Sequence, residues 1–403
     1  MGLFRAMALG ETIMPAALRG DLRVSGPALA CFVALGAVWG AIAALLPDLR
    51  AAIGAGDALL GVILFTTAAV SAGAMLAAPA VGRIVGRVAL PLATAAMVAS
   101  LLLPGQTALA WQFALAMALV GGTSGLVEVL MNARVAALEA ATGRPLMNLN
   151  HAGYSLSFFA VAVGTGLARE AGLTPAVIFS VLAAGCVPLV LLALRRPPGV
   201  AGPAAPGADE GARGASGFAV APLVLLGGGV ILLASLAEAG TETWSALHLE
   251  RSIGTSPALG ALGPAILGLT MGLGRLAGQA LSRRVPEARL MQAGGTHAAL
   301  GAVLGAVAPG PITAFAGIAL VGAGASVIVP IALAVVGRGA AGAERARRIA
   351  HASVIGFVGY VGGPALMGMI SALADLRTAF LILGLVLLLL PLLAPRLTRS
   401  AAR

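Results

Sequence analysis

Two short stretches of the sequence place hydrogen-bonding side chains inside long apolar runs. Glu128 and Asn132 are four residues apart, a spacing that puts both on one face of a helix. Asn148 opens the second stretch, in which His151 and Tyr154 are three residues apart and also share a helical face. Two helices with such faces predict a binding site for a small polar solute, where the Glu128 carboxyl can also carry a proton. The alternative is that these groups bond only to one another and fix helix packing.

A third polar stretch contains two carboxyl groups and an indole ring. Glu238 and Glu242 are four residues apart, so on a helix their charges repel unless a proton or another cation intervenes. This arrangement predicts that Glu238 assists Glu128 in proton coupling, and a helix end wetted by water is the alternative. Trp244 follows, and we expect it to stack on the solute or to anchor the helix at the membrane interface. Trp39, in the middle of its apolar run, is the stronger candidate for stacking.

The composition indicates the setting of these residues. Of the 403 residues, 59% are hydrophobic and 10% are charged, whereas a soluble domain carries about 25% charged residues. The apolar runs are about 20 residues long, which is the length of a membrane-spanning helix. The net charge of +10 comes from Arg residues at the ends of these runs, so it does not indicate a nucleic-acid partner. Cys31 and Cys186 lie within apolar runs, so we expect no disulfide, no metal site and no cofactor.

The sequence therefore predicts an all-α membrane protein with 12 transmembrane helices in two six-helix bundles. A segment rich in Pro, Gly and Ala, 195–217, separates the N-terminal bundle, 27–194, from the C-terminal bundle, 218–397. We expect cytoplasmic ends at 1–26 and 398–403. The predicted spans are 27–46, 59–81, 88–104, 109–132, 145–167, 173–194, 218–247, 256–281, 288–308, 311–337, 348–374 and 377–395.

The distribution of Arg predicts the orientation in a bacterial inner membrane. Basic residues concentrate in cytoplasmic loops. With both termini in the cytoplasm, most of the 25 Arg residues fall on that side, and only one, Arg275, falls within a span. We expected Arg275 to extend toward the cytoplasmic surface, as long basic side chains near helix ends do. The Arg residues left outside are Arg50, Arg169, Arg251 and Arg377.

The two predicted halves repeat one another at intervals of about 200 residues. Gly82 is followed five residues later by Arg87, and Gly278 is followed five residues later by Arg283. His151 and His351, each followed by Ala, open the fifth and eleventh spans. Two like-oriented halves joined by a linker resemble the major facilitator architecture, in which these Gly–Arg loops form a gating motif whose Asp is absent here.

That resemblance implies a solute site between two halves that rock to expose it to each side in turn. A Gly363–Pro364 pair in the eleventh span is then expected to kink the helix and serve as a flexing point. The implied partners are a small-molecule solute, protons or sodium, and the lipid bilayer, with the protein acting as a monomer.

The polar residues of the fourth and fifth spans narrow the resemblance. Glu128 and Asn132, followed by the stretch 148–155, resemble the corresponding helices of fucose–proton symporters and sugar-permease-like relatives. The resemblance implies that Glu128 binds the sugar and couples to protons, and that His151 and Tyr154 occupy sugar-binding positions. Ala43 stands where those symporters carry an Asp in the first helix.

The expected function is therefore secondary active transport of a sugar-like solute by proton symport, with drug or metabolite–proton antiport as the alternative. The fifth span contains no Gly-Pro pair, which disfavours the antiporter. An enzyme is disfavoured because no Gly-x-Ser-x-Gly motif accompanies His151 and Ser155. A sensor is disfavoured because no segment between the spans is long enough for a soluble output domain.

Overall fold

The computed structural model describes residues 16–195, 221–282 and 284–401, and within these ranges every regular element is a helix. The predicted linker and Arg283 therefore lie largely or wholly outside the described residues. The helices are α1 (Ala16–Ala52), α2 (Asp57–Val85), α3 (Ala89–Ser100), α4 (Ala110–Thr142), α5 (Met147–Glu170), α6 (Pro175–Ala193), α7 (Pro222–His248), α8 (Pro257–Leu281), α9 (Glu287–Ala306), α10 (Pro311–Ala325), α11 (Ile328–Val336), α12 (Gly342–Leu373), α13 (Leu376–Leu387) and α14 (Leu389–Ala401).

Local sequence explains where several helices begin and end. Pro is the first residue of α6, α7, α8 and α10, a position where its fixed φ suits the helix and its missing N–H costs nothing. Gly143 ends α4 with a positive φ of 66°, which favours glycine. Asp375 caps α13, and the hydrogen bond from the Thr378 backbone N–H lowers the pKa of this carboxyl.

The lengths and compositions of the helices make the chain a multipass membrane protein. Nine stretches of the described residues are long and apolar enough to cross a membrane. One of them, Asp57–Gln106, contains both α2 and α3, while the more polar α5 and α9 are not among the nine. Each predicted span overlaps a helix, and the count of twelve crossings stays a prediction.

Three details of the predicted spans differ from the structure. The first helix begins at Ala16 instead of residue 27, so part of the expected cytoplasmic lead-in is helical. The tenth span is divided between α10 and α11 at Ser326–Val327, and the twelfth is divided between α13 and α14 at Leu388. Gly363 and Pro364 do not interrupt α12, which continues through Leu373.

Helix pairing divides the fold into an N-terminal lobe, α1–α6, and a C-terminal lobe, α7–α14. In the first, α1 packs against α5 and α2 against α4; in the second, α7 packs against α12 and α9 against α10. The two lobes meet where α5 packs on α8 and α2 packs on α12.

Glycine allows α1 to approach α5 closely. A Cβ atom added at Gly36 would lie 2.3 Å from the backbone oxygen of Tyr154, and one at Gly40 would lie 2.5 Å from that of Phe158. Small residues permit such backbone contact between membrane helices. This contact fixes the height and rotation of α5, and therefore of the polar face that begins with His151.

Candidate functional site

A cavity of about 430 Å³ lies between the two lobes. Its walls come from α1, α2, α4 and α5 on one side and from α7, α8, α11 and α12 on the other. The size is within the range of small-molecule sites. A change in the relative position of the lobes would therefore change the cavity itself.

Three carboxyl groups line this cavity. Glu128 comes from α4, while Glu238 and Glu242 come from successive turns of α7. The sequence predicted that Glu128 and Glu238 face a shared site, and the structure brings both of them to it. Glu242, for which a wetted helix end was the favoured alternative, lines the cavity as well.

Arg275 is the counter-ion that sequence reasoning did not assign. Its guanidinium lies 3.4 Å from the Glu238 carboxylate, across the gap between α8 and α7. The side chain lines the cavity, where it pairs with Glu238. Its position within a predicted span was the signal that could have identified it, because an Arg inside a membrane span usually has an acidic partner.

Some of the predicted polar residues of α4 and α5 line the cavity, and others make contacts between helices. His151 and Tyr154 line the cavity, as expected, and Ser155 lies beside them. Asn132 does not line it, because its side-chain amide donates to the Glu128 backbone oxygen (2.8 Å) and its Oδ1 lies 3.2 Å from Nε2 of His151. Asn132 therefore makes helix-packing contacts, which were the alternative to a solute-binding role.

Asn148 is also outside the cavity. It is exposed at the start of α5, and the cavity wall begins one turn later. The adjacent Asn150, which the sequence interpretation did not select, is fully buried and donates to the Ser25 hydroxyl at 2.6 Å. This bond joins the start of α5 to α1 and so has a structural role.

The two candidate tryptophans have different environments. Trp39 lines the cavity from α1, where the sequence placed it. Trp244 is fully buried behind the wall, and its indole N–H donates to the backbone oxygen of Pro364 at 2.9 Å. The structure therefore assigns Trp244 neither of its two expected roles, since it lies neither at the solute site nor at a membrane interface.

Both tyrosines of the chain line the cavity. Tyr154 was predicted, but Tyr360 on α12 was missed because no polar residue at helical spacing accompanies it. Its ring stacks with that of Phe357, with ring centroids 5.9 Å apart. The scarcity of Tyr in this chain was the available signal.

One end of the cavity is closed by charged residues that join the lobes. Arg169, on α5, donates to Asp48 at 2.6 Å and to Glu250, in the π-helical turn after α7, at 2.6 Å. Its side chain is only 1% exposed. The carboxylate of Glu170 also accepts from the backbone N–H of Ala258 at the start of α8. We call this side of the molecule the closed end.

A second set of contacts closes the same end beside α2. Asp57 accepts from Arg50 at 2.8 Å and from Arg251, in the C-terminal lobe, at 2.7 Å. The Ser371 hydroxyl of α12 donates to the same carboxylate. Three of the four Arg residues predicted to lie outside thus participate in closing this end.

The opposite end admits solvent to the cavity. Glu128 and His151 are exposed although they lie between helices, and the Arg275 side chain is 45% exposed. Toward the closed end, Leu46 is 1% exposed. The ion pairs seen at the solvent-admitting end, Asp21–Arg144 and Glu287–Arg338, each join two residues of the same lobe.

Three of the predicted gate residues, Gly82, Gly278 and Arg87, lie at this second end. Gly82 is buried where α2 faces α4, and a Cβ there would contact Leu130 at 3.2 Å. A Cβ at Gly278 would meet Val327 at 2.5 Å. Arg87 is exposed in the turn after α2. Among the described residues, no group of three or more His, Cys, Asp or Glu side chains could hold a metal ion.

Comparison with known proteins agrees with this architecture. Residues 229–402 match the family model of the Major Facilitator Superfamily. The chain is 29% identical to an uncharacterized MFS-type transporter of Yersinia pestis over 375 residues, which cover 92% of this chain and 94% of that protein.

Two solved structures show the same fold. A D-xylose–proton symporter superposes with a TM-score of 0.74 at 14% identity, covering 93% of this chain and 97% of that chain. The Escherichia coli fucose:proton symporter superposes with a TM-score of 0.59 at 17% identity, covering 93% and 99%. In residues 229–402 this chain is therefore similar to the Major Facilitator Superfamily, and it shares its fold with these two solved symporters.

Proposed function

We propose that this protein is a secondary active transporter that moves a small polar solute across the bacterial inner membrane by alternating access, in symport with protons. The observation that carries the proposal is a cavity between two lobes, lined by carboxyl groups from both and closed at one end only. We assign the protein twelve spans in two six-helix bundles and a monomeric state. We also propose that both termini are cytoplasmic.

The orientation follows from the positions of the Arg residues. Arg50, Arg169, Arg251 and Arg377 lie at the closed end, and the remaining loop Arg residues of the described chain lie at the other. Since cytoplasmic loops are rich in Arg, the closed end is periplasmic. The structure then corresponds to an inward-facing state, and the outward-facing state requires the contacts of Arg169 and Asp57 to separate.

Proton coupling is assigned to Glu128, with Glu238 as its helper. Both line the cavity from opposite lobes, and each lies within electrostatic range of the other. A carboxyl that faces a cavity within the membrane can bind a proton on one side and release it on the other as access alternates. Arg275 holds Glu238 by an ion pair in this state, whereas the Glu128 carboxyl is free to bind a proton.

A sugar-like solute is the first substrate class to test. The named substrates of two proteins with this fold are xylose and fucose, both carried with protons. In this chain, Trp39 supplies an aromatic face and His151, Tyr154 and Ser155 supply hydrogen-bonding groups along one wall.

The test uses proteoliposomes that contain the purified protein and a pH-sensitive dye. D-Xylose and L-fucose are the first probes of a panel that extends to polyols, amino acids and amines. With the wild type, we expect a transported solute to carry protons with it and so to acidify the vesicle lumen as it enters. Glu128→Gln should abolish accumulation driven by a pH gradient, while exchange of labelled solute for unlabelled solute persists.

Glu287→Gln is the matched control, because this carboxylate pairs with Arg338 away from the cavity. It should accumulate solute as the wild type does. If Glu128→Gln still concentrates the solute at the wild-type rate, Glu128 is not the coupling group.

The second candidate function is drug or metabolite–proton antiport with the same fold. The observation that favours it is the excess of carboxyl groups, three against one guanidinium, in a cavity with many apolar residues. The same vesicles separate the two functions. Solute entry by symport acidifies the lumen, whereas entry by antiport makes it alkaline.

A further inference from the structure

The charges that line the cavity do not balance. Glu128, Glu238 and Glu242 face a single guanidinium, that of Arg275, and no other Asp, Glu or Arg of the described chain lines the wall. Charged groups at membrane depth are costly unless they are paired. The cavity therefore requires additional positive charge, which either protons or a bound cation can supply.

Two of the three carboxylates have no direct partner. Arg275 lies 3.4 Å from Glu238, whereas the side chains of Glu128 and Glu242 make no hydrogen bond or ion pair with any residue that the structure describes. Glu242 lies within electrostatic range of Glu238, which adds to the local negative charge. These two carboxylates are therefore available to an incoming ligand.

A buried hydroxyl beside Glu128 also lacks a partner. Ser124, one helical turn before Glu128, lines the cavity, is 3% exposed, and has an Oγ atom with no hydrogen-bond partner. A buried polar atom without a hydrogen-bond partner destabilises the protein. Such an atom next to an unpaired carboxylate indicates a ligand that places a hydrogen-bonding group there.

The remaining wall is suited to a cation more than to a neutral, heavily hydroxylated solute. Six aromatic rings line the cavity, although only 4% of the chain is aromatic, and the faces of such rings attract organic cations. Amide side chains, which both donate to and accept from sugar hydroxyls, are absent from the described lining. The aromatic residues are Phe32, Trp39, Tyr154, Phe158, Phe357 and Tyr360.

We propose that the transported solute is a protonated amine, whose ammonium group binds at Glu242, whose hydrogen-bonding substituent meets Ser124, and whose carbon skeleton packs against the aromatic wall; Glu128 keeps the coupling proton. This inference rests on the proposed transport function and names the substrate class of the same cavity. Arg275, which pairs with Glu238, is then a second cation in the cavity, and its charge opposes binding of the ammonium group.

The experiment compares probes that differ in charge but not in size. Glucosamine is paired with glucose, and choline with 3,3-dimethylbutan-1-ol, within a panel of further amine and hydroxyl pairs. Binding is measured as the thermal stabilisation of the purified protein in detergent, followed by titration. We expect the charged member of at least one pair to bind at least tenfold more tightly than its neutral counterpart.

Substitutions that change the charge of the cavity provide a second test, which does not depend on the choice of one probe. Glu242→Gln should weaken binding of the amine at least tenfold, whereas Arg275→Gln should strengthen it severalfold, because it removes the competing cation. The control Glu287→Gln should leave it unchanged. The inference is overturned if, in every pair that binds, the neutral member binds as tightly as its amine, and also if no amine binds.

The proteoliposome assay separates this inference from the transport proposal. If neutral solutes are transported and amines are not, the transport function stands and the cationic substrate class is wrong. If amines bind with the expected charge dependence but no probe crosses the membrane, the substrate class stands and the transport proposal fails.

Discussion

The guanidinium of Arg169 on α5 binds the carboxylate of Glu250, at the end of α7, through both terminal nitrogens at 2.6 and 3.0 Å. The same guanidinium binds Asp48, so one buried cation joins two carboxylates that belong to different lobes. A paired arrangement of this kind is geometrically specific, because the planar fork of Arg fits carboxylates in few orientations. If the lobes rock as proposed, this contact must break for the closed end to open.

Removal of Arg169 is predicted to open the closed end. Arg169→Ala leaves Asp48 and Glu250 facing one another without a cation, and breaking a buried ion pair costs about 3–5 kcal/mol. We expect a cysteine at Thr243, in the cavity wall, to react faster with an impermeant maleimide added from the periplasmic side. Cys31 and Cys186 are buried, so their background reaction is low.

The control for this prediction is Arg169→Lys. It keeps the charge but cannot make the forked contacts to both carboxylates, so labelling should be intermediate. Equal labelling rates in the wild type and Arg169→Ala would show that this contact does not hold the end closed.

We predict that removal of the Asp57 carboxylate lowers stability more than removal of the Ser371 hydroxyl that donates to it. Its carboxylate is buried and accepts from Arg50 and Arg251, so Asp57→Ala leaves two guanidinium groups without their shared partner. Because the Arg50 and Arg251 side chains are 24% and 44% exposed and screened by water, we expect a loss of about 1.5–3 kcal/mol of stability. Ser371→Ala removes one neutral donor and should cost about 1 kcal/mol. Thermal unfolding in detergent measures both, and a larger effect of the Ser371 variant would contradict the assignment.

Close helix packing predicts opposite effects for two glycines. A Cβ at Gly125 on α4 would lie 2.3 Å from the backbone oxygen of Ser71 on α2, so Gly125→Ala must separate the helices. Overpacking of this kind costs about 1–3 kcal/mol. Gly164 on α5 has open space around its Cβ position, and Gly164→Ala should leave stability unchanged or raise it slightly. The melting temperatures of the two variants check this, and equal values would contradict it.

The sequence predicted most of the N-terminal wall of the cavity because that wall follows helical spacing. Glu128 on α4, and His151 with Tyr154 on α5, reach the cavity because residues three or four apart share a face. Spacing alone does not give the rotation of one helix against another. Asn132 shares the face of Glu128, but its amide bonds to the helix backbone and to His151, so it contributes to packing instead.

The closed end and the counter-ion were not predictable by the same reasoning. Arg169 and Glu250 are 81 residues apart, and only the docking of the two lobes, in which α5 packs on α8, brings them together. Arg275 was misassigned because membrane-surface placement is the usual role of Arg near a helix end. Its contact with Glu238 depends on the packing of α8 against α7, which no local pattern encodes.

Substitutions of Trp39 and Trp244 are predicted to affect different properties. The first should reduce solute binding, and the second should reduce the stability of the protein. Trp39 lines the cavity, where we propose that it packs on the solute, so Trp39→Ala should weaken solute binding at least tenfold. Trp244 is fully buried and its indole N–H satisfies the Pro364 carbonyl. Trp244→Phe should therefore lower stability by about 1–3 kcal/mol, because it leaves that carbonyl without its donor.

Solute affinity and melting temperature are measured for both variants in the same detergent preparation. Trp244→Phe should bind the solute with wild-type affinity at temperatures well below its transition, because it removes no atom from the cavity wall. If Trp244→Phe loses solute affinity without losing stability, Trp244 is part of the solute site. An unchanged affinity in Trp39→Ala would show that the aromatic face on α1 does not bind the solute. The carboxylates of α4 and α7 and the rings of α5 and α12 would then have to bind it.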